Sequence, residues 1–321
     1  MMMAPHVDSS NDALYRLLFR LRIHESSGDG FQTLFGQVMK YSDPRFQKIV
    51  PWGDWGDGGN DGWIEEDGHY FQVYGPKPTT KLTESTALNK AIEDFDKLPK
   101  KWQNVQRYSF VMNDRFSGIP APIGSALQAL KIAKNLKVAK AVETQDLMIV
   151  FMTLTPGERQ DIVGGVPESA DFLDTRALGE LLTGLAETAT GKLTYLKEKA
   201  PDFDAKIRFN GLTPPISTRL EAASYQANIV DEFLDGRDPG LRQAIAQEIR
   251  GYYQESKAEF PDKVSDFANL RYVWLLDRIM PDDAARHPHT KAAYRGAAEI
   301  VLAKYFESCD AYEHPDGSTT A

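Results

Sequence analysis

Cysteine is nearly absent from this chain of 321 residues, in which Cys309 stands alone. A single cysteine excludes an internal disulfide and a thiolate zinc site. The six histidines form no pair at helical spacing, so a histidine metal site is not expected either. No apolar run approaches the roughly 20 residues of a membrane span, and residues 1–10 lack the basic start and apolar core of a secretory signal. We therefore expect a cytoplasmic protein without a membrane segment.

The charge of the chain is unevenly distributed. The net charge of −9 lies wholly in residues 151–321, which carry 19 basic and 28 acidic residues, whereas residues 1–150 carry 18 of each. A length of 321 residues exceeds most single cores, and 42% hydrophobic with 26% charged residues is typical of a soluble globular protein. Length and charge together favour two domains of different character.

A basic segment stands out within the balanced first half. Residues 97–140 contain nine basic residues and one acid, Asp114. Such a surface suits a polyanion such as nucleic acid, but it is equally compatible with a solvated helix face. The basic residues are Lys97, Lys100, Lys101, Arg107, Arg115, Lys131, Lys134, Lys137 and Lys140.

Hydrophobic periodicity gives a coarse plan of the first half. Two helices come first, and a strand at 46–50 leads into a loop rich in Gly and Asp. A hairpin at about 61–66 and 69–75 follows, and the apolar segment 147–154 is compatible with either a strand or a helix. The remaining predicted elements are a helix at 84–97, a strand at 108–112 and a helix at 123–140 that carries the last four lysines. This order predicts a compact α/β domain with a mixed sheet.

The second half shows almost only helical patterns. Apolar residues recur at steps of three and four, and breakers such as Pro214-Pro215, Gly236 and Pro281 separate them. We predict an all-α bundle of five or six helices, so that the whole chain belongs to the α+β class. The predicted domains are 10–154 and 155–313, followed by a flexible tail at 314–321.

The hairpin can bring several polar groups to one face. If Asp67-Gly68 forms a two-residue turn, Glu66 pairs with His69 and Asp61 falls opposite Tyr74. Trp63 then falls opposite Gln72. Because strand side chains alternate, Asp61, Gln72 and Tyr74 share a face.

The loop before this hairpin is rich in carboxylates. Asp54, Asp57 and Asp61 lie within eight positions, among glycines that let the backbone turn tightly. Oxygen ligands of this kind suit a hard cation. In the alternative interpretation, the carboxylates bind their own backbone and form a turn-rich cap of the hairpin.

These residues resemble a known family. The run from Gly56 to Gly62, followed by Phe71-Gln72-Val73, is similar to the signature of Mrr-like restriction endonucleases, in which a Gly- and Asp-rich loop precedes a strand with Gln-x-Lys. That family belongs to the PD-(D/E)xK nuclease superfamily. The resemblance implies that Asp61 and Gln72 bind Mg²⁺ or Mn²⁺, helped by Asp57 or Glu65, and that DNA is the substrate.

The sequence departs from the family pattern at the lysine. Tyr74 occupies that position, and a neutral phenol supplies no cation to a developing phosphorane. Lys77 is the nearest replacement along the chain, and Lys81 or Lys90 offers another. Gln32 also stands where the family often has Glu. We therefore consider two functions: metal-dependent DNA cleavage with Tyr74 or Lys77 placing the water, and a degenerate module that binds nucleic acid or acts as an adaptor.

The second half has a resemblance of its own. Residues 206–212, 230–233 and 305–313 look like the helical C-terminal domain of effectors in ABC-three-component systems, which are prokaryotic defence assemblies. The resemblance implies two partners, an ABC ATPase of the SMC/Rad50 class and a small middle-component protein. It further implies that the helical domain links effector to ATPase. A homo-oligomer is compatible with this layout.

Overall fold

The computed structural model describes most of the chain, and its contacts divide the chain into two compact units. One unit comprises residues 22–162, and the other comprises the residues before and after it. The predicted boundary after residue 154 stays a prediction. The predicted features at Asp54, Trp55, Gly56, Lys81, Cys309 and residues 316–321 lie outside the described residues. The described residues are 10–51, 53, 57–78, 84–167, 173–188, 202–283, 287–308 and 312–315.

The described residues form thirteen α-helices and one five-stranded mixed sheet, so the predicted α+β class is confirmed. None of these helices is both long enough and apolar enough to cross a bilayer. The first unit contains the sheet. Its elements, with the helix α1 that leads into it, are α1 (Ser10–Glu25), α2 (Gly28–Ser42), β1 (Gln47–Lys48), β2 (Gly62–Ile64), β3 (His69–Tyr74), α3 (Glu84–Lys101), β4 (Arg107–Met112), α4 (Ala121–Ala133), β5 (Val138–Val142) and α5 (Thr144–Thr153).

The sheet follows chain order from β1 to β5. β1, β2 and β3 pair antiparallel, whereas β3, β4 and β5 pair parallel. A parallel pair requires a crossover, and α3 and α4 provide the two crossovers. The mixed sheet therefore joins a meander to two βαβ units.

Helices cover both faces of the sheet. On one face, Phe71 of β3 packs against Phe35 of α2, with ring centroids 5.6 Å apart. On the other face, Tyr70 of β3 shares a core cluster with Ala91 of α3 and Leu127 of α4. Because successive strand residues point to opposite faces, Gln72 and Tyr74 lie on the same face as Tyr70.

The prediction of one lysine-bearing helix over residues 123–140 is wrong. Helix α4 ends at Ala133, and Asn135 takes the left-handed conformation at φ 53°. The chain then forms β5, in which Ala139 and Ala141 pack against the core. Alternation of small apolar residues with Lys140 suits a strand, and this tertiary contact overrides the helical spacing of the lysines.

The segment Thr144–Thr153, for which the sequence left strand and helix open, is helix α5. Glu143 and Asp146 form a capping box at its start.

All regular elements of the second unit are helices within the described residues, as predicted. Eight helices follow α5, where five or six were predicted. The first of them, α6 (Pro156–Val163), lies almost wholly in the unit of residues 22–162, and the pattern predicted over residues 220–234 is split at Tyr225 into two. The eight helices are α6 (Pro156–Val163), α7 (Thr175–Thr188), α8 (Phe203–Phe209), α9 (Ile216–Ser224), α10 (Asn228–Leu234), α11 (Pro239–Glu259), α12 (Phe267–Arg278) and α13 (Pro288–Glu307).

Helix α13 is the centre of this bundle. It contacts α7, α9, α10 and α12, and Ala297, Ile300 and Val301 are almost completely buried. Charged side chains are buried beside it: Arg219 pairs with Glu299 at 2.7 Å. A central helix with buried ion pairs fixes the relative positions of its neighbours.

Candidate functional site

The structure corrects the register of the hairpin. Trp63 lies opposite Tyr70 and Ile64 opposite His69, so pairing is shifted by two residues from the prediction. Residues 65–67 form a 3-10 turn that Gly68 closes at φ 55°, which replaces the predicted two-residue turn. A shift of two residues leaves the alternation of faces along the strands unchanged, so Gln72 and Tyr74 of β3 lie on one face.

Asp61 lies beside Gln72. Its backbone N–H donates to the carbonyl of Phe71 at 2.9 Å, and its Oδ2 accepts from the N–H of Val73 at 2.7 Å. The carboxylate thus satisfies a backbone donor of β3 that no strand neighbour reaches. Asp61 and Gln72 are both buried, with 6% and 3% of their surface exposed.

The loop before Asp61 packs against α3. Gly59 has φ 77°, and a Cβ at this position would lie 2.2 Å from the carbonyl oxygen of Asp94. A side chain would therefore collide with the helix, which explains a glycine at this position. The carboxylate of Asp57 accepts from the N–H of Gly59 at 2.8 Å, the local role that the alternative interpretation gave to these acids.

Asp94 of α3 joins the site, and the sequence analysis missed it. This carboxylate is 2% exposed and lies 2.7 Å from the ammonium groups of both Lys90 and Lys97. Its signal was present in the sequence, because residues at spacings of three and four lie on one side of a helix. A buried carboxylate held by two lysines therefore faces the Asp61 loop.

Burial raises the pKa of Asp61 to about 7. The bond from Val73 and the charge of Lys90 oppose this rise, whereas the neighbouring carboxylates of Asp57 and Asp94 add to it. An acid that is close to half-protonated at neutral pH can exchange its proton for a cation. The carboxylate of Asp61 can therefore bind a cation in place of its proton.

The side-chain oxygen Oε1 of Gln72 is buried and has no hydrogen-bond partner in the described part of the chain. A buried acceptor without a partner is costly, and a bound cation would satisfy it. Among the described residues, no group of three or more His, Cys, Asp or Glu side chains is arranged to hold a metal ion. Mg²⁺, however, keeps most of its waters and needs only one or two carboxylates. The oxygen atoms of Asp61 and Gln72 thus fit this hard cation.

The remaining residues that the sequence placed at or near the site are Tyr74, Lys77 and Gln32. The ring of Tyr74 is half-buried and stacks on Phe110, with centroids 6.0 Å apart. Lys77 is exposed beyond the end of β3. Gln32 belongs to α2, which packs on the Phe71 face of the sheet, away from the Gln72 face. Of the predicted replacements for the lysine that the structure describes, Lys77 and Lys90, it is Lys90 whose charge lowers the pKa of Asp61.

The lysines predicted as a basic surface are exposed. Lys131 and Lys134 lie at the end of α4, Lys137 in the following turn and Lys140 in β5. They therefore lie on three successive structural elements. The choice between nucleic-acid contact and a solvated face stays open at this point.

His69 gives the sheet a measurable pH dependence. Burial, together with Arg107 and Lys140, lowers its pKa to about 4, from 6.5 in the unfolded chain. Between these values the unfolded state binds a proton that the folded state does not, so stability falls as the pH falls from 6.5 to 4. With allowance for solvent screening, we expect a loss of about 2 kcal/mol.

Urea unfolding of the wild type and His69→Gln between pH 7 and pH 4 measures this loss. We expect the wild type to lose stability relative to the variant on acidification. Parallel pH profiles for the two proteins would contradict the assignment.

The fold and the site together define a protein with two parts, a mixed-sheet unit with a buried carboxylate and amide pair, and a helical bundle. Residues 176–313, within the bundle, match the family model of C-terminal domain 10 of the ABC-three component (ABC-3C) systems. This match supports a component of an ABC-3C defence system. Comparisons with curated proteins and with solved structures gave no significant match.

Proposed function

We propose that this chain is the effector of an ABC-three-component defence system and that its mixed-sheet unit is a metal-dependent DNA endonuclease with a restriction-endonuclease-like fold. The observation that carries the proposal is the buried Asp61 carboxylate, which accepts from the N–H of Val73, next in the chain to Gln72, whose buried Oε1 has no hydrogen-bond partner among the described residues. The resemblance of the loop and strand to Mrr-like nucleases supports it.

The roles of the side chains follow from their positions. Asp61, in its ionised form, and Gln72 would hold the cation, while Asp57 accepts a hydrogen bond from the backbone of Gly59. When bound, Mg²⁺ or Mn²⁺ polarises a phosphoryl oxygen and lowers the pKa of a coordinated water. Lys90 supplies positive charge beside the carboxylates, and Tyr74 can donate a hydrogen bond from its phenol.

The helical unit serves assembly in this proposal. Its match to a C-terminal domain of ABC-3C systems supports an ABC ATPase and a middle component as partners. The site on the sheet and the partner-binding bundle would then lie on separate units of the chain.

A specific observation favours a second candidate, a degenerate nuclease-like module that binds nucleic acid or acts as an adaptor. Asp61 already accepts a backbone hydrogen bond, and two lysines already neutralise Asp94. Tyr74 stands in place of the lysine. Together these features give the carboxylates of Asp61 and Asp94 partners within the chain, so that they do not need a metal.

A plasmid assay separates the two candidates. The full chain is incubated with supercoiled plasmid and Mg²⁺ or Mn²⁺, with and without the ATPase and middle component, and with EDTA as a control. The nuclease proposal predicts metal-dependent nicking and a metal-dependent rise in melting temperature, because the cation binds only the folded site. Retardation of the plasmid without cleavage supports the degenerate module. Neither cleavage nor retardation under any condition would refute both the nuclease and the nucleic-acid-binding module, and would leave only the adaptor role.

A further inference from the structure

A cavity of about 520 Å³ opens in the helical unit, where the end of α8 meets α11 and the start of α12. Its volume lies in the range of protein ligand pockets. Two cations, two acids and two of the three aromatic side chains that line it define its chemistry. They are Lys257, Arg271, Asp262, Glu313, Phe209 and Phe267.

One half of this cavity is occupied by the chain itself. The side-chain amide of Asn210 donates to the carbonyl of Glu313 and accepts from its N–H, both at 2.9 Å. Lys257 binds the Glu313 carboxylate at 2.7 Å and lies over the ring of Tyr253. This wall therefore binds an acidic peptide segment through its backbone and its carboxylate.

In the other half the cation is Arg271, which is also paired with groups of the chain itself. The Arg271 guanidinium lies 4.6 Å from the ring centroid of Phe267, and only 7% of its side chain is exposed. It donates to the carbonyl of Phe260 and to the carboxylate of Asp262. The Asp262 side chain is 81% exposed, and ion pairs with so exposed a partner are weak. An incoming carboxylate can replace Asp262 at little cost.

We propose that this second half binds a short extended segment of a partner protein, in which an acidic residue stands next to an apolar or aromatic one. The acidic residue binds Arg271 in place of Asp262. Its apolar neighbour rests on Phe209, whose aromatic side chain is 52% exposed at the rim. A protein segment fits better than a small ligand because the adjoining wall already pairs with a peptide backbone through Asn210. The inference rests on the proposed assembly role of the helical unit.

The test uses the full chain and immobilised octapeptides with identical apolar residues but either Asp and Glu or Lys and Arg. We expect acidic peptides to be selected. Fluorescence anisotropy with the best acidic peptide should show about tenfold weaker binding for Phe209→Ser. Asp262→Asn, which removes the competing carboxylate, should bind more tightly than the wild type. Tyr225→Ser is the matched control, because this side chain is 86% exposed in the same unit and does not line the cavity.

Selection of basic peptides would overturn the proposal. So would equal effects of Phe209→Ser and Tyr225→Ser, weaker binding by Asp262→Asn, or competition by acetate alone at the concentration of the peptide. This assay needs no DNA, metal or ATPase. Its failure is therefore distinguishable from failure of the plasmid assay, which tests the proposed function.

Discussion

Substitution Asp61→Asn is expected to reduce metal-dependent plasmid nicking about 100-fold or more, a loss of about 2.7 kcal/mol in transition-state stabilisation. The physical reason is charge. Asp61 is a buried carboxylate that forms no ion pair among the described residues, and it has a raised pKa. An amide at this position lacks the negative charge that attracts the cation.

The choice of asparagine isolates this effect from folding. The carbonyl oxygen of asparagine can still accept the 2.7 Å bond from the N–H of Val73, whereas alanine would leave that buried donor unsatisfied. The variant also removes the cost of ionising a buried acid. We therefore expect its melting temperature without metal to equal or exceed that of the wild type.

Asp96→Asn is the matched control, because this acid lies on the same helix as Asp94 but is 53% exposed. Initial nicking rates at saturating Mn²⁺ and melting curves with and without metal are measured for all three proteins. Asp96→Asn should behave as the wild type. Equal nicking by Asp61→Asn and the wild type would refute the role of Asp61, and so would a rate loss that matches the loss of folded protein.

Arg295→Leu is expected to destabilise the helical unit by about 3–5 kcal/mol. The Arg295 side chain is 1% exposed and binds both carboxylate oxygens of Asp277, at 2.7 and 2.9 Å. It also donates to the carbonyls of Val163 and Gly165. Burial alone would raise the pKa of Asp277, but Arg295 and Lys291 outweigh it and hold this pKa below its ordinary value.

The loss is large because one substitution leaves several groups without a partner. Asp277 keeps only Lys291, at 2.8 Å, and two carbonyls lose their donor. Urea unfolding followed by far-UV circular dichroism measures the effect, and the helical unit should unfold at a lower urea concentration than in the wild type.

Arg176→Leu supplies the comparison for this prediction. Arg176 also pairs with a carboxylate, Glu180, at 2.7 Å, but its side chain is 85% exposed. Removal of an exposed pair should leave the free energy of unfolding nearly unchanged. If both leucine variants lost similar free energies of unfolding, burial of Arg295 would not determine its contribution to stability.

The sequence predicted the elements that depend on local pattern. Helices α1 and α2 carry regular apolar stripes, and strand β4 is an apolar run that breakers delimit. Periodicity failed over residues 123–140. There, the lysines recur at steps of three, as they would on a helix. Residues 138–142 instead form a strand, in which Ala139 and Ala141 pack against the core. Spacing alone cannot distinguish a helix from a strand here, because the contacts that decide between them come from residues distant in the chain.

The hairpin shows how far local reasoning extends into the site. Alternation along β3 places Gln72 and Tyr74 on one face, although the predicted register of the hairpin was wrong by two residues and Asp61 lies just before the paired strand β2. A shift of two residues leaves each side chain on the same face of the sheet but changes the residue that lies opposite it on the neighbouring strand. Asp61 therefore lies beside Gln72 rather than Tyr74, which matters for a cation that both oxygens would share.

The sequence by itself determined the kinds of donor atoms, the face on which they lie and the division between a mixed sheet and a helical bundle. These properties follow from residue types and short-range periodicity. Only the tertiary structure brought Asp94 and its two lysines beside the loop of Asp61, and only the tertiary structure buried Asp61, which is the largest cause of the rise of its pKa to about 7. Both depend on the packing of α3 against the sheet, which joins residues more than thirty positions apart in the chain.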